Sequence, residues 1–325
     1  MKCNVAEAGE GLMDNLKPDS KLKRRFFMKK LKWLKAVMVI ALLLLLPFAA
    51  LARNIDPIVS TDWLQKNLQN PKVVIVDLRK VEDYKAGHIP GAVNVFYGTW
   101  AIKKGDLLNE LPPVDDLMDV IGGAGISKQS WVVLVGKTEK IPDQFDMTRV
   151  AWTLKYAGVE NAAILNGGQD QWVKEKRPLS QEMVKAKAKS YKADLKKDLF
   201  VDKAFVLAKL GKAVVVDTRA PSFYAGKEKL PFVPKAGRIK GAVNLPVGQL
   251  YTKEGLYKDK AELASLAAKA VGNDMNKEYI LYCDTGKTAT SWAFVMTEML
   301  GYKDVNVYDG SSMEWLKDPN APTEP

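Results

Sequence analysis

Cysteine and histidine are almost missing from this chain. Among 325 residues there are two cysteines, Cys3 and Cys283, and a single histidine, His88. Cys3 falls in a stretch expected to be removed, which leaves the mature chain one thiol and no partner for an internal disulfide. Zinc sites built on paired cysteines are excluded by the same count, and one histidine cannot build a His-rich centre, so no metal and no cofactor is expected. A thiol–disulfide oxidoreductase needs a resolving cysteine, which is also lacking.

A strong charge of one sign is lacking from the body of the chain as well. The formal charge is +11, but residues 21–52 hold +8 of it and residues 1–20 hold −2, so the rest carries only +5. That excess is spread over many lysines and suits solubility; no nucleic-acid partner is expected.

The basic N-terminal block belongs to a recognisable segment. Met28–Ala52 has a lysine-rich start, an apolar core from Ala36 to Leu46 and an A-x-A ending at Ala50 and Ala52. This is the pattern of a secretory signal peptide, with cleavage expected after Ala52 and a bacterial periplasm as destination. An uncleaved anchor is the alternative, and the apolar run is short for a span of about 20 residues. Residues 1–52 are therefore set apart as extension and signal.

What remains repeats itself. Lys72–Lys80 (KVVIVDLRK) matches Ala213–Ala220 (AVVVDTRA), each a buried β-type run that ends in Asp-x-Arg. Gly87–Phe96 (GHIPGAVNVF) matches Gly237–Pro246 (GRIKGAVNLP), and Gly158–Trp172 matches Gly301–Trp315 at equal spacing. Two copies of one unit follow, 54–178 and 200–325, joined by a Lys-rich linker, 179–199. Within each copy, short Val/Ile-rich runs alternate with helical patterns at Val114–Ile121, Met147–Tyr156, Glu262–Ala270 and Ser291–Leu300. Such alternation predicts an α/β fold, each copy a doubly wound parallel sheet with helices on both faces.

The chemistry concentrates where the copies differ. Tyr279–Tyr282 is a short apolar run that passes through Cys283 into the loop Asp284, Thr285, Gly286, Lys287, Thr288, followed by a helical stripe that ends at Gly301. A cysteine between a strand end and a helix start meets unpaired N–H groups and the positive helix end, and Lys287 adds charge, all of which favour the thiolate. The first copy has Gly136 in place of Cys283. Asp77 with Arg79 and Asp217 with Arg219 recur in both copies, including the one without a thiol, which suits structural ion pairs. Trp172 and Trp315 recur likewise and read as core anchors.

These pieces together resemble the tandem-domain rhodaneses, the thiosulfate and 3-mercaptopyruvate sulfurtransferases: the D-x-R strand ends, G-H-I-P-G-A-V-N, the Gly-rich endings before tryptophan, and C-x-x-G-x-T from Cys283. The resemblance implies a rhodanese-like domain used twice, with the nucleophile in the second. It implies that Cys283 takes the outer sulfur of a small anionic donor as a persulfide and yields it to a thiol, cyanide or protein acceptor, with ping-pong kinetics. A persulfide carrier with little small-donor turnover is the alternative. A phosphatase of related fold would need an arginine where Ala289 stands.

Two departures bear on the donor. Thiosulfate-type loops read C-R-K-G-V-T and mercaptopyruvate-type loops C-G-S-G-V-T; here C-D-T-G-K-T offers the Thr285 hydroxyl, and Asp284 opposes a dianion, which favours a mercaptopyruvate-like donor. The family's donor-binding arginine falls on Phe223. Lys227, Lys229, Lys235 and Arg238 in the following insertion are candidates to supply the charge, and Arg219 is a further candidate cleft residue. His88 is expected either in the cleft, as in mercaptopyruvate-type relatives, or as a turn residue before Pro90.

Overall fold

A computed structural model describes residues 53–139 and 141–325; the signal-like segment lies outside them. Its strands are short, and those at the centre of the sheets are apolar and mostly buried on both faces. In the first half they are β1 (Ile58–Val59), β2 (Val73–Asp77), β3 (Val93–Asn94), β4 (Ile102–Lys104), β5 (Leu107–Glu110), β6 (Trp131–Val135) and β7 (Ala162–Leu165). In the second they are β8 (Phe200–Val201), β9 (Val214–Asp217), β10 (Arg238–Ile239), β11 (Val243–Asn244), β12 (Glu278–Tyr282), β13 (Asp304–Tyr308) and β14 (Thr323–Glu324).

Two five-stranded sheets result, ordered β1-β7-β6-β2-β3 and β8-β13-β12-β9-β11. Every pairing within them is parallel. Because β2 and β6, or β9 and β12, have helices on both sides, their sequences read as continuous hydrophobic runs instead of alternating. The α/β architecture expected from the repeat is the one found, and the corresponding strands take corresponding places. Two small antiparallel pairs, β4–β5 and β10–β14, are additions to this plan.

The apolar residues form three clusters. One lies on the outer face of each sheet, around Trp172 in the first copy and Trp315 in the second. The third is shared, joining Trp152 and Leu154 of the first copy to Trp292, Phe294 and Met296 of the second. Helices Ile141–Tyr156 and Ala289–Phe294 meet there, and Thr148 Oγ1 lies 2.7 Å from Ser291 Oγ at their crossing. The last turns of the second helix widen to a π-helix over Val295–Leu300, and Gly301 closes it at φ 86°. Trp172 and Trp315 are fully buried and donate their indole N–H to Pro178 O and Pro322 O.

Residues 179–199 do not hang free between the copies. Lys189 N–H donates to Gly122 O, Asp194 N–H to Ala157 O and the Tyr191 hydroxyl to Ala157 O, which straps the segment to the first copy. A side chain at Gly122 would place its Cβ 2.3 Å from Lys189 O, so this close approach needs glycine.

A shared core makes the copies interdependent. Denaturant unfolding followed by far-UV circular dichroism and by tryptophan fluorescence should give coincident transitions. Trp292→Ala, which empties a fully buried site at the seam, should shift both together by about 3–5 kcal/mol. A second, separate transition would contradict the shared core.

Candidate active site

β12 is the central strand of the second sheet, and Cys283 is the first residue beyond its carboxyl end. The cysteine is 2% exposed and is the one free thiol among the described residues. Its loop is pinned from below by the start of helix Ser311–Trp315. Cys283 N–H and Gly286 N–H both donate to Ser311 Oγ, at 3.1 and 2.9 Å, while that hydroxyl donates to Tyr308 O at 2.8 Å. Ser312 N–H and Met313 N–H close the other side on Cys283 O and Asp284 O. Gly286 has φ 69°, and a Cβ there would lie 2.5 Å from Asp309 O, so only glycine fits.

Of the loop amides, that of Gly286 is therefore already used by Ser311. Those of Asp284, Thr285, Lys287 and Thr288 donate to no acceptor among the described residues. They remain available to an anionic sulfur.

The first copy grips three consecutive loop residues from above. Asn109 Nδ2, on the β4–β5 hairpin, donates to Thr285 Oγ1 at 2.9 Å. Arg149 donates through Nη1 to Gly286 O at 3.2 Å and to Asp309 Oδ1 at 2.6 Å. Asp146 pairs with Lys287, whose ammonium also lies 4.5 Å from the centre of the Tyr97 ring. Lys287 is thus shared with an acid of the other copy, which tempers the charge it can lend to the sulfur.

Asp284 and Arg219 meet at 3.6 Å. Burial raises the Asp284 carboxyl, Arg219 lowers it and Asp217 raises it again; the balance sits at about 6. Arg219 forks onto Asp217 and donates to Gly237 O, so it braces the strand end while it touches the loop. Arg79 does the same with Asp77 and Gly87 O in the copy that has no thiol, which fits a structural pair.

Three sequence candidates lie elsewhere. His88 is fully buried, holds Tyr84 O with Nδ1 at 2.8 Å and stacks on the Tyr84 ring at 3.7 Å. Its backbone pairs with Ser180, so it is the turn residue, and the expectation of a cleft histidine is corrected. Lys229 closes its own turn on Val233 O. Arg238 is held by Tyr224 O, Pro325 O and Glu324 at the C-terminal strand pair. Neither replaces the missing donor-binding arginine, because both are spent on backbone and carboxylate groups away from the loop. Phe223 lies in the short helix Pro221–Tyr224.

Sequence reasoning missed Ser311, Asn109, Arg149, Asp146 and Tyr97. Ser311 had a visible signal, since it interrupts the alignment of the two copies at Gly168. Arg149 had little to set it apart from the other charged residues of its helix, Asp143, Asp146 and Lys155. Asn109 had no signal.

The repeat also shows how the first site was closed. Gly136 O accepts from Gln169 N–H as Cys283 O accepts from Ser312 N–H. There, however, the Asp170 carboxylate takes the N–H groups of Thr138 and Glu139, so a built-in anion fills the loop.

The description "Rhodanese-like domain" matches residues 60–175 and again 203–318. The chain belongs to the rhodanese-like family. It is 33% identical over 280 residues to the "Putative thiosulfate sulfurtransferase" of Mycolicibacterium smegmatis, across 83% of this chain and 98% of that protein. It is 30% identical to the "Sulfur carrier protein TtuD" of Thermus thermophilus, across 80% of this chain and 93% of the relative. Among solved structures, YnjE superposes with a TM-score of 0.74 at 23% identity, over 82% of this chain and 68% of its own. The rhodanese-like unit occurs here as a tandem pair.

Removing the shared acceptor of the loop should be costly. Ser311→Ala leaves two buried N–H groups unpaired and should lower unfolding stability by about 1–3 kcal/mol in denaturant titration. A change near zero would mean that Ser311 does not hold the loop.

Proposed function

We propose that this rhodanese-like chain is a sulfurtransferase that carries sulfur on Cys283. The thiolate attacks the outer sulfur of a small anionic donor and an S–S bond forms. The donor's own S–S or C–S bond breaks, and the electron pair leaves with sulfite or with the pyruvate enolate. A thiol, cyanide or protein thiol then attacks the outer sulfur of the persulfide and restores Cys283. Free amides of Asp284, Thr285, Lys287 and Thr288 would hold the charge on the sulfur. The observation that carries this reading is the lone buried thiol at the end of the central strand, beneath a loop braced by both copies.

A 3-mercaptopyruvate-like donor fits better than thiosulfate. The loop presents a hydroxyl at Thr285 and a carboxylate at Asp284, where two cations would suit a dianion. We place the activity in the periplasm, reached through the segment Met28–Ala52.

A second reading, a sulfur carrier that hands persulfide between proteins, is favoured by the 2% exposure of Cys283 and by the lack of a donor-binding arginine at Phe223. It also accords with the likeness to a relative named a sulfur carrier. Intact-mass measurement after incubation with 3-mercaptopyruvate or thiosulfate decides between them. One added sulfur, about 32 Da, absent in Cys283→Ser and discharged by cyanide with turnover, is expected for the enzyme. A protein isolated as persulfide that turns over neither donor is the carrier; one that never gains sulfur is neither.

Asp284 sets a pH dependence. Its carboxyl is neutral below about 6 and negative above, so it repels a dianionic donor only on the alkaline side. The ratio of thiosulfate loading rates, Asp284→Asn over native, should be near unity at pH 5. By pH 7.5 it should reach about fivefold, which corresponds to the roughly 1 kcal/mol between two charges 4 Å apart in water. A ratio that does not change with pH would remove Asp284 from the donor site.

A further inference from the structure

Asn109 is the least expected of the residues that touch the loop. It sits on β5 with φ 61°, a left-handed backbone that asparagine tolerates and most residues do not. Its amide is oriented from behind. The Tyr97 hydroxyl donates to Oδ1 at 2.8 Å, which turns Nδ2 toward Thr285 Oγ1, 2.9 Å away. Burial pushes the Tyr97 phenol far above its ordinary value, so the hydroxyl keeps its hydrogen for this bond. A threonine hydroxyl has one hydrogen to give, and here the oxygen receives one from Asn109. Its own hydrogen meets no acceptor among the described residues. Thr285 is 8% exposed and two positions beyond Cys283, so that hydrogen is free for an acceptor that enters beside the sulfur.

We propose that Tyr97 and Asn109 of the first copy are a positioning pair that fixes the Thr285 hydroxyl as a hydrogen-bond donor to the carbonyl or carboxylate oxygen of a 2-oxo acid at Cys283. The inference deepens the sulfurtransferase reading by naming the first-copy residues that direct the loop hydroxyl, and it rests on that reading. A 2-oxo acid carries one negative charge and an uncharged carbonyl. It can take a single O–H donor beside the Asp284 carboxylate, where a dianion would meet repulsion. The non-catalytic copy would thus set donor choice in the catalytic one.

Bromopyruvate tests this without requiring sulfur transfer. It presents a 2-oxo acid, and its reaction at Cys283 forms an S–C bond as the C–Br bond breaks and bromide leaves with the electron pair. Iodoacetamide alkylates the same thiol but carries no 2-oxo acid. The readout is the ratio of the two alkylation rates at Cys283, taken by intact mass on the full chain. Asn109→Gly keeps the left-handed backbone, Thr285→Val keeps the shape without the hydroxyl, and Tyr97→Phe removes only the orienting O–H. The ratio should fall about tenfold in Asn109→Gly and in Thr285→Val, and no further in the double variant, because both act through one hydrogen bond. Tyr97→Phe should fall in the same direction by less.

An unchanged ratio in Asn109→Gly, or losses that multiply in the double variant, would overturn the proposal. If Asn109→Gly does not fold, Tyr97→Phe decides, and an unchanged ratio there has the same force. A native protein that favours bromopyruvate yet gains no sulfur from either 3-mercaptopyruvate or thiosulfate would defeat the sulfurtransferase reading alone.

Discussion

Arg149 carries its charge into the seam between the copies with no exposure to water, and the shape of the thiol's loop depends on how that charge is met. A buried guanidinium is costly unless its partners are close and well placed. Asp309 meets it at 2.6 Å, Gly286 O takes a second bond from the same nitrogen, and the Phe200 ring lies 4.5 Å beneath it. Asp309 is in turn held by Leu111 N–H at the end of the hairpin strand β5. One ion pair therefore ties together a helix of the first copy, the hairpin of the first copy, and the loop and strand β13 of the second. The hairpin that brings Asn109 to Thr285 is positioned by the same set of bonds.

The two copies share one frame and differ at the loop. Both copies kept the Asp-x-Arg brace, the Gly87 or Gly237 carbonyl that receives it, and the buried tryptophan that donates to a proline carbonyl. They parted at the loop. In the first, Asp170 supplies an internal anion, and a cavity of about 650 Å³ lined by Arg79, Phe96, Gly136 and Asp146 remains beside it. In the second, Ser311 stands where Gly168 stands in the first, and its neutral hydroxyl holds the loop while leaving four amides free. Asp146 links these regions, because it lines the first copy's cavity and pairs with Lys287 of the second copy's loop.

The electrostatics of the loop are mixed, which separates it from a simple anion hole. Free amides and a helix start favour negative charge, whereas Asp284 sits close by with its carboxyl raised by burial to about 6. Lys287 is balanced by Asp146 and Arg219 by Asp217. The cations near the thiol are thus largely committed within the protein.

By itself the sequence determined the doubly wound fold, the two copies and the loop at Cys283. Hydrophobic runs, turn residues and an internal repeat are local signals, and strand length and face burial follow from them directly. It also identified the Asp-x-Arg pairs as structural, because they recur where no thiol exists. Only the tertiary structure decided which side chains reach the loop. Asn109 and Arg149 are 176 and 137 residues from their loop partners, and no local pattern encodes contact over such separations. The same limit misplaced His88, Lys229 and Arg238: residue type made them plausible, but packing spends each on a nearby carbonyl or carboxylate. A charged group desolvated in the fold must find its partner at once, and where that partner lies is settled by how the two copies pack together.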